Sequence, residues 1–502
     1  MLRDFVGEPI RQLVATYDPE GSLASTHIDQ GTDMGLYGGI LGWLPDDHRL
    51  PRYLDEIDKL GINVRVDYAP LEATHPNHYR LEVIGASGTV YTMDALSTGG
   101  GMLELVAIDE IPAGGYGDRH STFFWLNEKP NDALFSKSGP ALSAEEIDWL
   151  PDEDAKGLLR FDSVVEPDPE EVAQLAEALG ATRHRIVHAV MPILTKMEMT
   201  LPFERCGEME RFAEKGDYNL WQCAVEYEAQ RGGVSHQEVI DRMKRLASTM
   251  EAAVQSGLAG THYDDRILPA QNQKLASAEK EGLVIPAEIN NKIIRYVSAI
   301  MEVKSSMGVI VAAPTAGSCG AMPGAVIAVA EALGANETKR AKALLVAGMI
   351  GVFIAKDATF AAEEGGCMAE CGSGSSMAAA AIVHLAGGTL DQQVAAASLA
   401  LQNSLGMVCD PIANRVEAPC LGKNVMAASN ALSCANMAIA GYDHLVPLDE
   451  VIVAMNKVAH QIPRELRCTN LGGLSITPTA SKIAAKLAAN ADQCCKKSPV
   501  EQ

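Results

Sequence analysis

Aromatic residues are scarce in this 502-residue sequence, at 5%, and basic ones are outnumbered, with 41 Lys and Arg against 65 Asp and Glu. The formal charge of -24 repels a phosphate backbone, and no local Lys/Arg cluster offsets it, so nucleic acid and anionic membranes are excluded as partners. No low-complexity tract interrupts the chain, and 47% of residues are apolar, which is the balance of a globular protein rather than a disordered one. The N-terminal stretch MLRDFVGEPIRQLV lacks the continuous apolar core and small-residue cleavage site of a secretory signal, so the expectation is a cytoplasmic protein. Met307 to Ala330 carries no charge over 24 residues. Pro314, Pro323 and four glycines interrupt it, so it reads as a buried loop between two helices rather than a membrane span.

What is present in quantity is thiol. Eleven cysteines in a chain with no secretory signal argue against a disulfide framework, because the cytosol keeps thiols reduced. They divide into buried core residues and a few metal ligands.

The length is too great for one ordinary core, and composition divides the chain in three. Residues 1–115 mix helix and strand signals. Asn63 to Tyr68, Tyr79 to Ile84 and Thr89 to Met93 alternate apolar with polar residues between Gly-rich turns, which predicts strands in a small α/β domain. Residues 116–200 are acidic and broken by Pro130, Pro140, Pro151, Pro167 and Pro169, as in a linker or small intermediate domain. A helix begins there after Asp168-Pro169-Glu170 and runs to Leu179, whereas Arg185 to Leu194 fits strand or helix equally. Residues 201–502 are rich in helix formers, with apolar residues at helical spacing in Val239, Met243, Leu246, Met250 and Val254. Ala343 to Ala355 and Ser376 to Leu385 are apolar nearly all round and must be central helices. The fold class this predicts is α+β, a small α/β domain joined to a large all-helical one.

Three cysteines sit where Gly or Pro breaks the helical pattern: Cys367 in EEGGCMAE, Cys409 in LGMVCDP and Cys420 in VEAPC. Such breaks bring backbone N–H groups and thiolates together at helix ends, where an anionic cluster can be held. On spacing alone these thiols are as readily core residues as ligands, since the steps match no compact ferredoxin pattern.

Their surroundings are more specific. GGCMAECGSGSSMAAAA, LGMVCDPIANRVEAPC, VAAPTAGSCGAMPG and LGGLSI resemble, in order, four signatures of the α region of the iron-sulfur-dependent L-serine dehydratases. SLASTHIDQGTDMG and STGGGM near the N-terminus are similar to segments of that family's β region. The threonine that follows the family's histidine is Ile28 here, and the Gly-Pro after it is absent. The resemblance implies β and α regions fused in one chain, a 4Fe-4S cluster on Cys367, Cys409 and Cys420, and a homodimer. It implies a lyase of amino acid catabolism that converts L-serine to pyruvate and ammonia.

Three thiolates suit that chemistry better than four, because they leave one iron open. An open iron acts as a Lewis acid on a β-hydroxy amino acid, easing departure of hydroxide, while a base removes the Cα proton. His27, with Ser25 beside it, is the candidate base; its bland alternative is a loop or capping histidine. Thr315, Gly317 and Ser318 offer N–H groups and hydroxyls for the substrate carboxylate, or else a plain helix cap. Gly99 and Gly100, with Gly101, permit close backbone approach. Glu302 and Lys304 read as solvated positions ahead of a buried ion pair or a substrate-ammonium contact, Cys371 as core packing and Cys468 as a non-ligand. Cys319 fits either role, and Cys494 and Cys495 lie in a charged tail, exposed or able to reach the open iron. Two other readings stand beside this one: an L-cysteine desulfidase or related lyase for a β-substituted amino acid, and a non-catalytic metal-binding regulatory protein.

Overall fold

The computed structural model describes residues 1–495 except 29, 72–74, 100, 131–138, 141, 153–155 and 192–199. The chain is α+β and divides into two compact units, Met1–Pro202 with Tyr227–Ser235, and Phe203–Glu226 with His236–Gln502.

The first unit holds two sheets. Alternating side chains along Ile10–Tyr17 (β1), Asn63–Tyr68 (β2), His78–Gly85 (β3), Val90–Gly99 (β4), Met102–Ile108 (β5) and Ile111–Pro112 (β6) build one sheet in the order β2-β1-β3-β4-β5-β6. β1 and β2 are parallel and therefore need a crossover, which the helices Thr32–Ile40 and Tyr53–Leu60 supply. The remaining pairs of this sheet are antiparallel. Its core gathers Phe5, Leu13, Tyr17, Val83, Ile108 and Phe123.

His120–Leu126 (β7), Glu146–Pro151 (β8), Gly157–Ser163 (β9) and Arg183–Val187 (β10) form a second sheet in the order β10-β7-β9-β8. It occupies the acidic, proline-marked stretch, and Arg185 to Val187 resolve there as strand. The helix Pro169–Leu179 begins as expected, with the Asp168 side chain accepting from Glu170 N–H and lowering the cost of the open first turn. Phe123 and Phe124 point to opposite faces of β7, so Phe123 enters the first core and Phe124 packs with Leu159, Phe161 and Val172 in another.

The second unit is helical and centred on Ser373–Ala386, buried along almost its whole length. Glu337–Asp357, Leu390–Gln402, Cys420–Ile439 and Ala321–Ala332 pack around it. No face is wet, and two of its hydroxyls bond within the core: Ser375 Oγ donates to Ala427 O at 2.7 Å and Ser376 Oγ to Ala397 O at 2.9 Å. Helices His236–Ala259 and Glu288–Ser305 approach so closely that a Cβ on Gly257 would stand 2.2 Å from Ala299 O. The buried stripe of His236–Ala259 includes Val239, Met250 and Val254 but turns to Ala247 in place of Leu246, which is 37% exposed. Among the described residues no helix is long and apolar enough to cross a membrane.

Two positions read as solvated are not. Glu302 is buried, accepting from Gln271 N–H at 2.6 Å, Asn272 N–H at 3.1 Å and the Asn272 side-chain amide. It thereby caps the helix Asn272–Lys280. Lys304 donates to Val416 O at 3.2 Å, and burial pushes its ammonium pKa down. The reason is tertiary: the last turn of Glu288–Ser305 is covered by neighbouring segments distant in sequence.

His384, near the end of the central helix, has a pKa pushed down to about 4 by burial, aided by Lys339 and Lys342. A folded-state value below the unfolded 6.5 means the unfolded chain binds the extra proton between them. Stability is therefore full above about pH 6.5 and lost as pH falls towards 4, by on the order of 3 kcal/mol for a shift of this size. In urea titrations across that window His384→Gln should flatten the slope, and an unchanged slope counts against the assignment.

Candidate metal centre

The thiols come together because three chain breaks abut. Cys367 follows the short helix Ala362–Gly365 and precedes a π-helical turn, Met368–Gly372. Gly366 between them has φ +66°, and a Cβ there would stand 2.9 Å from Met407 O, so only glycine lets the two segments touch. Met368 N–H donates to Met407 O at 2.9 Å across the contact. Cys409 lies two residues further along that second segment, in an extended stretch bridged to Arg467. Cys420 is the first residue of the helix Cys420–Ile439.

Cys367 Sγ, Cys409 Sγ and a Glu370 carboxylate oxygen all lie within 4.8 Å of one another. Cys371 hydrogen-bonds to Cys367, and Cys468 to Cys409. Hydrogen bonds from Cys371 and Cys409, with the Lys423 ammonium, hold the Cys367 thiol well below its ordinary pKa. The same bond to Cys367 pushes Cys409 up, and burial pushes Cys420 up. Lys423 Nζ stands 3.9 Å from Cys367 Sγ while donating to Val408 O at 2.6 Å and Asp410 Oδ1 at 2.5 Å. Cys420 is buried and electrostatically coupled to Cys367 and Glu370, but it is not one of the close trio.

Two cysteines read as bystanders therefore belong to the thiol group. Cys371 is drawn in by the π-turn, which places it beside Cys367 rather than in the core alone. Cys468, at φ +61°, is carried in by a segment whose Cys468 N–H donates to Cys409 O at 3.2 Å. Cys319 is fully buried with its thiol 3.8 Å from Met301 Sδ.

The loop candidates meet this site. Thr315 Oγ1 donates to Glu370 Oε1 at 2.5 Å, lies 3.0 Å from Ser318 Oγ and accepts from Ser318 N–H. A Cβ on Gly317 would stand 2.5 Å from Glu370 Oε1, so a larger residue there would displace that carboxylate. Burial, reinforced by the Cys367 charge, raises the Glu370 pKa to about 8. Sequence reading passed over Glu370, although its place three residues after Cys367, one helical turn, was a signal that the two share a face. Asn424 binds the loop to the cysteine helix: its side chain donates to Gly317 O at 2.9 Å and Cys420 O at 3.0 Å, and accepts from Gly320 and Ala321 N–H. Asn424→Leu strands those buried donors, so a loss of about 3–4 kcal/mol is expected, seen as a thermal midpoint lower by ~10 °C. A shift under ~2 °C would mean the amide is dispensable.

In the first unit, His27 is buried between Asp33 and Tyr68: Nδ1 is 2.8 Å from Asp33 Oδ2 and Nε2 is 2.8 Å from Tyr68 Oη. Its ring packs 5.2 Å from that of Tyr17. Asp33, reached through the next helix, was not singled out in the sequence. Ser25 is exposed, its hydroxyl donating to Ser22 O at 3.1 Å. Gly99 ends β4 opposite Met102. Gly100 lies outside the described residues, and the helix Pro478–Cys495 ends on Cys494 and Cys495.

Comparison with known proteins bears on the helical unit. Residues 215–475 match the family described as serine dehydratase alpha chain. The chain is 41% identical over 251 residues to the probable L-serine dehydratase alpha chain of Bacillus subtilis (strain 168), covering 50% of this chain and 84% of that protein. It is 37% identical over 265 residues to the L-serine dehydratase alpha chain of Peptoniphilus asaccharolyticus, covering 53% and 91%. With L-serine dehydratase 1 of Escherichia coli (strain K12) the identity is 29% over 293 residues, covering 56% and 63%. The grouped thiols and the loop that meets them both lie within the matched span, and the chain belongs to the serine dehydratase alpha chain family.

Proposed function

We propose that the chain is a 4Fe-4S-dependent L-serine ammonia-lyase that forms pyruvate and ammonia. The observation that carries this reading is the grouping of Cys367, Cys409 and Glu370 within 4.8 Å of one another, in a span matched to serine dehydratase alpha chains. The donor set fits the cofactor: buried soft thiols, one of them held anionic, with Lys423 beside them to balance an anionic cluster. Cys367, Cys409 and Cys420 would hold it. When bound, the cluster supplies a Lewis-acidic iron to the substrate's carboxylate and β-hydroxyl.

The chain's own residues do the rest. Thr315 fixes the Glu370 carboxyl, so that this group meets the substrate in one orientation. The loop from Thr315 to Ser318 leads into the N-terminal end of Ala321–Ala332, where a carboxylate is favoured. At His27, donation of the Nδ1 proton to Asp33 leaves the Nε2 lone pair as acceptor. That is the tautomer a base for the Cα proton requires. Tyr68 Oη, on Nε2 in this structure, is the group that must yield. The reading extends to a cytoplasmic homodimer.

The test is purification without oxygen. Broad visible absorbance that bleaches in air, with pyruvate and ammonia formed from L-serine and no added pyridoxal phosphate, is the expected result. Colourless protein without iron would refute the cluster. Sulfide from L-cysteine with no ammonia from L-serine would transfer the site to a desulfidase.

A further inference from the structure

Four buried side-chain oxygens near His27 have no hydrogen-bond partner among the described residues: Tyr17 Oη, Ser22 Oγ, Asp33 Oδ1 and Asn77 Oδ1. Their residues are 0%, 3%, 6% and 6% exposed. Buried polar atoms are normally paired, and a bare carboxylate oxygen is the costliest of them to leave unpaired. We propose that these oxygens bind one monovalent cation, potassium or ammonium, beside His27.

The four residues sit on segments that meet there. The Tyr17 ring packs 5.2 Å from the imidazole, and Asp33 Oδ2 is bonded to His27 Nδ1. Ser22 precedes the helix Leu23–Thr26, which runs directly into His27. Ser22 N–H donates to Pro76 O at 3.0 Å, which brings Asn77 alongside. Tyr17 and Asp33 are also electrostatic neighbours: burial, then Tyr79, then Asp33 push the Tyr17 hydroxyl pKa up.

The chemistry of the set selects the ligand. Asn77 Nδ2 donates to Ser97 O at 3.3 Å, so its Oδ1 is left as an acceptor, and Asp33 Oδ1 can only accept. A hydroxyl, amide and carboxylate oxygen set suits a hard cation. One carboxylate balances one positive charge, whereas a divalent ion would leave a buried charge uncompensated. Tyr37 and Tyr53, with rings 5.6 Å apart, also neighbour Asp33, and tyrosine faces attract cations further. The bound ion would fix the carboxylate that orients His27. Binding itself needs no cluster; only its effect on turnover rests on the role proposed for His27.

The test is the thermal midpoint of the full-length protein, prepared in choline chloride and titrated with potassium or ammonium chloride at constant ionic strength. Choline is too large for a buried site. The midpoint should rise with the smaller cations, by about 5–10 °C at a hundred times the dissociation constant. Asp33→Asn should abolish the rise. Ser22→Ala and Tyr17→Phe should raise the concentration needed by ~10-fold or more. Should Asp33→Asn fail to fold by circular dichroism, Ser22→Ala carries the test. A rise with ammonium alone would support the site and name its ion as the protonated form of the proposed reaction's nitrogen product. Equal midpoints in all three salts, or a rise undiminished in Asp33→Asn or Ser22→Ala, would overturn the proposal. A cation response in protein that takes up no iron and turns over no L-serine leaves this site standing while the proposed function falls. Turnover with no cation response does the reverse.

Discussion

Cys409→Ser should lower kcat/KM for L-serine by at least about 10³-fold, a loss of ~4 kcal/mol in transition-state stabilisation. The substitution exchanges one atom at a position 4% exposed and costs ~1–3 kcal/mol of stability. Against the 5–15 kcal/mol typical of folded domains, the chain survives it. Far-ultraviolet circular dichroism should therefore match the wild type while visible absorbance and iron content collapse together. Cys409 is the informative thiol because it touches both Cys367 and Cys468. Retained turnover would return the protein to a binding or regulatory role.

The next largest effect is expected at His27. In His27→Asn, kcat should fall by ~10²–10⁴-fold, the usual contribution of a positioned general base, while iron content stays at the wild-type level. Asparagine keeps a partner for Asp33 and limits the structural cost. Asp33→Asn makes the complementary test, because an amide at that site no longer selects the tautomer with a free Nε2. Its kcat should also fall, with KM nearly constant. A histidine serving only the packing around Tyr17 would leave kcat untouched and lower the thermal midpoint instead.

Much of the architecture was legible from periodicity. Alternation marked Asn63–Tyr68 and most of His78–Gly85, because side chains repeat every two residues and one face is half-buried in the first strand and buried in the second. Continuous apolarity marked Ser373–Ala386, because a helix packed on all sides has no wet face to signal. Helical spacing marked His236–Ala259 as a helix but not that its buried stripe takes in Ala247 rather than Leu246, because the neighbour across the interface selects among several similar stripes.

The site was half legible. Gly and Pro beside Cys367, Cys409 and Cys420 announced backbone breaks, and Pro-Thr-x-Gly announced the loop at Thr315. Glu370, Asp33 and Asn424 were not singled out, since a carboxylate or amide within a helical pattern looks the same whether it is solvated or buried. Glu302 and Lys304 were misjudged for that reason.

By itself the sequence determined the α+β class, the central helix and which segments break, because these depend on local spacing and on the conformational freedom of Gly and Pro. Which thiols touch was decided by tertiary structure alone. Cys371, Cys367, Cys409 and Cys468 form a chain of contacts because Gly366 admits the Met407 backbone and the Cys409 stretch pairs with Leu466–Cys468. Contacts between segments so far apart in the chain are set by packing, on which spacing carries no information.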